Sequence, residues 1–420
     1  SILLKVLCLK TGALKKFDKR FRLDDDRPVL QHSFNDVASY NRIMDLQKIE
    51  ELPYQDTITN AYTYFAKKLD TSKVDFDVIC SKVMFVGIDL NYDENEQQIF
   101  DTINSLGVRL TTAELLKNYF FSRDDLPLYK THWRDVFEKD EDTCSYWGQE
   151  IITGRTKRTF IDLFFYSLLQ ILIQDSSYAV RAEDKVAFSR VKSLFPSYKK
   201  FVGGYLGGDK NAFLQEMVEY AEVFRDKIDG SVVDKELPKD ASIDRINVLI
   251  FALDTTTLIP YVLFIEKNVQ DEQQKRRLYE YLESYIMRRL VTRQTTKNYN
   301  QLFTERLISN QITTKESFID YLAKQTDKIN YMPTDNEVTE AFHTSVLTNK
   351  YAAGTIYLLE SKIRNEQMNS TQLLGIRKYS LEHLMPKKWR NHWEFDGTDE
   401  QAIKRDRALL TLGNLAIITR

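Results

Sequence analysis

Residues 375–389, G-I-R-K-Y-S-L-E-H-L-M-P-K-K-W, alternate short apolar and polar side chains up to Pro386. Alternation with period two marks a strand with one face on a core, and a proline, which has no backbone N–H to give a ladder, closes it. An aromatic and basic run, K-K-W-R-N-H-W at 387–393, comes next, followed by a charged helical stretch at 399–408. The chain then ends in L-L-T-L-G-N-L-A-I-I-T-R at 409–420, a second strand pattern that runs to Arg420, so the last domain is expected to be incomplete as written. Two strands separated by a short helix, at the end of a chain that is otherwise helical in pattern, predict an α+β protein dominated by α-helix.

Composition agrees. The 420 residues carry 43% hydrophobic and 29% charged side chains, with 14 Gly and 8 Pro, well under ordinary usage. Few turn-formers mean long helices, and the length allows about two or three domains. Fifty-nine Lys and Arg stand against 61 Asp and Glu, a net charge of −2, so no bulk positive field announces a nucleic-acid or lipid partner. The three cysteines, Cys8, Cys80 and Cys144, are far apart and form no C-x-x-C, which argues against a disulfide framework or zinc ribbon and for a reducing, cytoplasmic setting. No apolar run is long enough to span a membrane, and the opening S-I-L-L-K-V-L-C-L-K lacks a signal-peptide layout. It has no initial Met and starts inside a helical pattern, so we expect the protein to begin upstream.

Helical spacing covers 33–50 and 57–69, the latter with Asp56 and Thr57 as caps and Ile58, Tyr62, Phe65 and Leu69 on one face. S-K-V-M-F-V-G-I-D-L-N at 81–91 is the strongest strand pattern of the first half. Within 94–121 we expect a helix, a break at Gly107, and a second start at Thr111 or Thr112, where Thr111 and Glu114 have capping-box spacing. From 158 to 330 the pattern is long amphipathic helices, including 160–173, 212–224, 248–265 and 273–291, joined at 201–210 and 227–240. Another helix pair is expected at about 338–347 and 351–367.

Chemistry has few places to sit. Of the five histidines none lies in H-x-x-x-H or H-E-x-x-H, and there is no G-x-S-x-G elbow, Walker A loop or G-x-G-x-x-G turn. What stands out is Glu382-His383 before Pro386, with Asn414 in Leu412-Gly413-Asn414-Leu415. Phosphodiester hydrolysis needs charge stabilisation at phosphate and a neutral imidazole to take a proton from water, and a carboxylate beside a histidine supplies both. Strand neighbours point to opposite sides, so the two serve one site only if the strand ends or bends there. From spacing alone, a structural, hydrogen-bonded histidine remains the commoner explanation.

These residues also carry a resemblance. Y-S-L-E-H-L-M-P-K-K-W and L-G-N-L-A-I-I are similar to the E-H-I-x-P-x-x-W and L-G-N-L-T-L segments of the C-terminal HNH nuclease domain in GmrSD-type modification-dependent (type IV) restriction proteins. I-F-D-T-I-N-S-L-G-V-R-L-T-T-A-E-L-L-K-N at 99–118 resembles a block of the ParB/sulfiredoxin-like domain that precedes the nuclease in that family, and 285–303 resembles connecting helices that hold a paired Arg. The resemblance implies three parts: 1–125, the C-terminal part of a nucleotide-binding sensor domain; 126–335, a helical connector; and 336–420, a C-terminally truncated ββα-metal (HNH, His-Me finger) domain. His383 would be the general base and Glu382 the acidic metal ligand. Asn414, assigned with His383 to the catalytic set, matches the middle asparagine that braces the loop between the strands. The remaining signature residue would lie beyond Arg420. The family's D-G-Q-Q-R nucleotide motif would lie before residues 1–9, which resemble the helix after it. Asn104, Gly107, Lys117 and Asn118 are candidates for the same cleft, with a helix C-cap at Gly107 and a solvated face at Lys117 as the plainer alternatives.

Three basic clusters complete the pattern: Lys5 to Arg22, 276–293, and Lys387, Lys388 and Arg390 with Trp389 and Trp393 among them. For the first two, a solvated helix face is the simpler explanation, whereas the third adjoins the proposed site and suits contact with a phosphate backbone. The expected function is metal-dependent cleavage of double-stranded DNA in an antiviral restriction system, directed at modified phage DNA. The implied cofactors are a divalent metal, Mg²⁺ or Mn²⁺, and a nucleoside triphosphate for the full-length protein; a homo-oligomer is left open, and no membrane partner is expected. Two alternatives are a non-catalytic sensor of DNA modification and a nucleotide-hydrolysing switch acting on a partner protein.

Overall fold

The computed structural model describes residues 1–30, 32, 36–53, 56–84, 111–121, 125–153, 156–190, 193–325, 329–364 and 372–419. The chain divides into two compact units, Ser1–Phe100 and Asp101–Arg420.

In the first unit, helices Ile2–Thr11, Leu14–Phe21, Val37–Asp45, Thr57–Lys68 and Phe76–Lys82 enclose a core of Val6, Leu7, Cys8, Phe17, Tyr40, Ile43, Met44 and Tyr62. Gly12 ends the first helix at φ 73°, a left-handed conformation that glycine adopts without strain. Thr57–Lys68 starts as its sequence indicates: Asp56 accepts from Thr59 N at 2.7 Å while Asp56 N donates to Thr59 Oγ1 at 2.8 Å. The strand expected at 81–91 fails over its described part. Ser81 and Lys82 close the helix Phe76–Lys82, whose start is capped by the Asp75 side chain, and Val83 and Met84 are exposed. Phe76, Ile79 and Cys80, which pack on the core, stand at helical spacing, and that pattern together with the cap overrides the β-propensity of the valine. Residues 85–91 of that expectation, and the helix and Gly107 break expected before Thr111, lie outside the described residues.

The second unit is built on Phe160–Leu172, a helix buried almost all round, against which Lys210–Lys227 and Ile259–Asn268 pack. A helix apolar on every side belongs at the centre of a bundle. Thr112–Phe120 begins at a capping box of Thr111 and Glu114. The run 248–265 is broken rather than continuous. Helix Ile243–Phe251 ends before Asp254, which stands at φ 55°, a short turn Thr256–Leu258 follows, and Pro260 opens Ile259–Asn268, where its missing N–H is harmless. A hairpin that the sequence did not announce, β1 (Glu150–Thr153) with β2 (Thr156–Thr159), precedes the central helix. Glu272–Val291 is the longest described helix, and Arg245 joins it to Ile243–Phe251 by a buried bidentate pair with Glu283 at 2.6 and 2.7 Å.

Towards the C-terminus, helices Asp335–Thr344 and Asn349–Ile363 lead to β3 (Tyr379–His383) and β4 (Leu415–Thr419), an antiparallel pair with His383 opposite Leu415. Leu381 and Leu415 pack with Ile356 and Leu412, seating the pair on Asn349–Ile363. Helix Asp399–Ala408 lies between the strands in sequence and starts at a capping box of Thr398 and Gln401. The fold is thus mainly helical with few short strands, as the composition predicts. Cys8, Cys80 and Cys144 are unpaired. No helix among the described residues is long and apolar enough to cross a membrane.

Candidate functional site

The strand β3 ends at His383, the condition under which Glu382 and His383 can serve one site. Glu382 is exposed and His383 half-buried, and neither side chain has a hydrogen bond or ion pair among the described residues. One ladder bond continues past the strand, Leu384 N to Asn414 O at 2.9 Å, and the chain then turns through Met385 and Pro386.

Asn414 holds that turn. It is 9% exposed, and its Oδ1 accepts from Met385 N at 2.8 Å. Its Nδ2 donates to Met385 O at 3.1 Å and to Leu409 O at 3.0 Å. Both amide protons and the carbonyl oxygen are therefore occupied by backbone. The arrangement fits the bracing role expected of this asparagine and leaves it no proton to give a substrate without breaking the turn. A buried amide with all its partners fixes geometry, because an unpaired polar group there is costly.

After the turn, Trp389 is buried and donates its indole N–H to Asp406 Oδ1 at 2.9 Å. Arg390 makes a two-pronged pair with the same carboxylate at 2.9 and 2.6 Å, and its guanidinium lies 4.8 Å from the Trp389 ring centre. The Arg390 guanidinium and then the Trp389 N–H hold the Asp406 carboxyl below its usual range. Of the three expected DNA contacts, Lys387 and Lys388 are exposed and have no partner among the described residues, whereas Arg390 is engaged by Asp406.

The other basic clusters disperse. Lys5 is buried with its ammonium 5.1 Å from the Phe17 ring centre, Lys16 pairs with Asp77, and Arg22 binds Met44 O and Asp45, both at 2.7 Å. In the long helix Arg276 pairs with Asp240, Arg288 with Asp335, and Arg289 is buried against the carbonyls of Thr295, Ile329 and Tyr331. In each cluster several cations are thus spent on local acids, carbonyls or a ring.

Of the four sensor-cleft candidates, Lys117 and Asn118 are among the described residues. Asn104 and Gly107 lie outside the described residues. Lys117 donates to Glu138 Oε1 at 2.8 Å, and Tyr129 and Trp133 donate to the same carboxylate at 2.8 and 3.0 Å. Burial pushes Glu138 up, but these three partners outweigh it and leave the group below its usual range. Asn118, the next residue, is exposed.

Among the described residues no three His, Cys, Asp or Glu side chains come together closely enough to hold a metal ion. Glu382 and His383 offer two free donors at the strand end, so the described chain supplies only part of a ligand set. Asp406 and the neighbouring Arg405 did not emerge from the sequence, since nothing local pairs Asp406 with Trp389 and Arg390 on the other side of a turn, or sets Arg405 over the Trp389 and Phe395 rings.

A search of curated proteins and of solved structures finds no match. Residues 7–121 match the family model for the GmrSD restriction endonuclease N-terminal domain. Residues 332–420, which include β3, β4 and Asn414, match the model for the C-terminal domain of the same endonucleases. The two halves of one family's signature stand in order on a single chain, and the chain belongs to the GmrSD restriction endonuclease family.

Proposed function

We propose that the chain is the DNA-cleaving component of a restriction system that acts in the cytoplasm on modified foreign DNA, with its hydrolytic site at the end of β3. The observation that carries this is the pairing of an occupied amide with two free functional groups. Asn414 is spent on holding the turn, whereas Glu382 and His383 have no partner among the described residues. In this HNH-type reading His383 takes a proton from a water molecule, the water oxygen attacks phosphorus, and the P–O bond to the leaving oxygen breaks, that oxygen regaining a proton from solvent. A divalent ion such as Mg²⁺ or Mn²⁺ supplies charge stabilisation at phosphate when bound, and Glu382 is the residue this chain offers to it. The described residues complete no ligand set, so no further step is assigned to it.

The N-terminal domain is proposed to regulate cleavage by binding or hydrolysing a nucleoside triphosphate, a ParB/sulfiredoxin-like role. With Lys117 engaged by Glu138, Asn118 is the candidate that remains open among the described residues.

The test is cleavage of plain and base-modified duplex DNA with Mg²⁺ or Mn²⁺, with and without nucleotide, by the parent and by His383→Ala. We expect cleavage by the parent, preferring modified DNA, and none by the variant, which still binds DNA. Equal cleavage by His383→Ala overturns the site. Metal-independent binding without cleavage by the parent supports a non-catalytic sensor instead, and nucleotide turnover that ignores DNA supports a switch acting on a partner protein.

A further inference from the structure

Two arginines lie over one indole at the same distance, and their situations differ. Arg390 is 4.8 Å from the Trp389 ring centre and neutralised by Asp406. Arg405 is also 4.8 Å from that ring centre and 4.4 Å from the centre of Phe395, whose ring meets Trp389 edge to face at 5.2 Å. Its guanidinium has no hydrogen bond or ion pair among the described residues. None of its nitrogens belongs to the buried, unpartnered atoms, so the unpaired donors are open to solvent.

A guanidinium stacked on aromatic rings is immobilised while its in-plane N–H groups stay unused, and less entropy remains to be lost when an oxyanion is bound. Charges of both signs surround it, with Glu394 and Asp396 on either side of Phe395 in sequence. Helix Asp399–Ala408 has its acids Asp399 and Glu400 in the first turn and Arg405 and Arg407 in the last, and its remaining acid there, Asp406, is already committed to Arg390. Lys387 and Lys388 immediately precede Trp389.

Placement relative to the strand end follows from backbone. Leu409 N donates to Arg405 O at 3.1 Å, which puts Arg405 about one helical turn, about 6 Å of axis, before Leu409. The carbonyl of Leu409 is held by Asn414, and the same amide holds Met385, two residues after His383.

We propose that Arg405, held by Trp389 and Phe395, is a preorganised contact for a phosphodiester group of the DNA that the strand end receives. The proposal rests on reading that end as a DNA site, and it replaces Arg390, which the sequence singled out. A purely structural Arg405, there to cover the Trp389–Phe395 cluster, would stabilise the fold but leave the ionic component of binding unchanged.

Duplex DNA binding is measured over a range of salt concentrations in a His383→Ala background, so that cleavage does not interfere, with Arg405→Gln, Arg405→Lys and Arg390→Gln compared. Each phosphate neutralised contributes a slope of about 0.9 to log K against log salt, so Arg405→Gln should flatten the slope by about one and weaken binding alike for all sequences. Arg405→Lys keeps the charge but loses the stacked fork, so the slope should hold while affinity falls several-fold. Arg390→Gln should leave the slope unchanged. An unchanged slope in Arg405→Gln overturns the proposal, as does the absence of DNA binding by the parent. If thermal melting shows Arg405→Gln to be unfolded, the Lys variant decides: parental affinity there overturns it. Failure of the parent to cleave would remove the nuclease reading and leave this binding result standing.

Discussion

Asn414 grips Met385 by both backbone groups, accepting from its N–H at 2.8 Å and donating to its carbonyl at 3.1 Å. Because Met385 is two residues past His383, Asn414 fixes the turn that follows the proposed site. Replacing Asn414 with Ala leaves a buried N–H and two carbonyls without their partner, a cost of about 1–3 kcal/mol. Asn414→Asp keeps an acceptor for Met385 N but turns a carboxylate oxygen towards the carbonyls of Met385 and Leu409, so it should do no better. Thermal melting reads the stability loss, and cleavage should fall with it in both variants. An Ala variant that melts like the parent would remove the bracing role.

Arg245 reaches from Ile243–Phe251 to Glu283 on the long helix and to Ser361 Oγ, at 2.8 Å, on the helix that carries β3 and β4. Both ionic partners are nearly inaccessible. Removing one of a buried pair strands the other charge, so Arg245→Ala should cost about 3–5 kcal/mol, whereas the double change Arg245→Met with Glu283→Leu should cost much less. Denaturant unfolding of the three proteins checks this. Equal losses in the single and double variants would show that packing, not the stranded charge, sets the effect.

Signals that are local in sequence were legible, and those that depend on distant partners were not. Thr111 with Glu114 announced its helix start, and the charged stretch 399–408 forms the helix Asp399–Ala408. The strand ending near Pro386 and the strand after Asn414 are both present. Helix Phe76–Lys82 was hidden because the valine-rich stretch after it has a stronger short-range β pattern than the Phe76, Ile79 and Cys80 spacing that the core selects. Two four-residue strands, Glu150–Thr153 and Thr156–Thr159, are too short to show alternation above background. At the candidate site, Glu382, His383 and Asn414 could be picked out as candidates from their motif. Whether an arginine is free could not, because Arg390 is silenced by a carboxylate sixteen residues away on another element.

Asp406 ties that element to the turn, and its titration has a definite sign. Its carboxyl is depressed in the fold, first by Arg390 and then by the Trp389 N–H, relative to an ordinary 3.8. The link is therefore fully present above about pH 4 and is lost as pH falls through the depressed value. Trp389 fluorescence, isolated by replacing the other tryptophans with Phe, should stay constant from pH 7 to about pH 4 and change only below. Asp406→Asn should give at neutral pH the signal that the parent shows in acid. A transition of the parent centred near pH 6 would contradict the assignment.

Two glycines flank the strand pair, and the less conspicuous one is the constrained one. Gly375, before β3, has φ −59° and ψ 150°, values open to any residue, so conformation does not demand glycine there. Space does: a Cβ at this position would lie 2.3 Å from the backbone carbon and 2.6 Å from the Cα of Asp234, and backbone cannot rotate aside as a side chain can. Gly375→Ala must push the approach to β3 away from the Gly230–Asp234 turn and stretch the Arg377–Asp234 pair, which stands at 3.0 Å. Overpacking of this kind costs about 1–3 kcal/mol. Gly413, inside the L-G-N-L motif, has nothing within 4 Å of its would-be Cβ and no positive φ, so Gly413→Ala should be neutral or stabilise by up to about 1 kcal/mol through the unfolded chain. Melting temperatures of the two variants should move in opposite directions or differ by several degrees, with cleavage reduced in Gly375→Ala alone. If Gly413→Ala is the damaging change, the glycine of the motif serves an incoming ligand or chain rather than the packing of this fold.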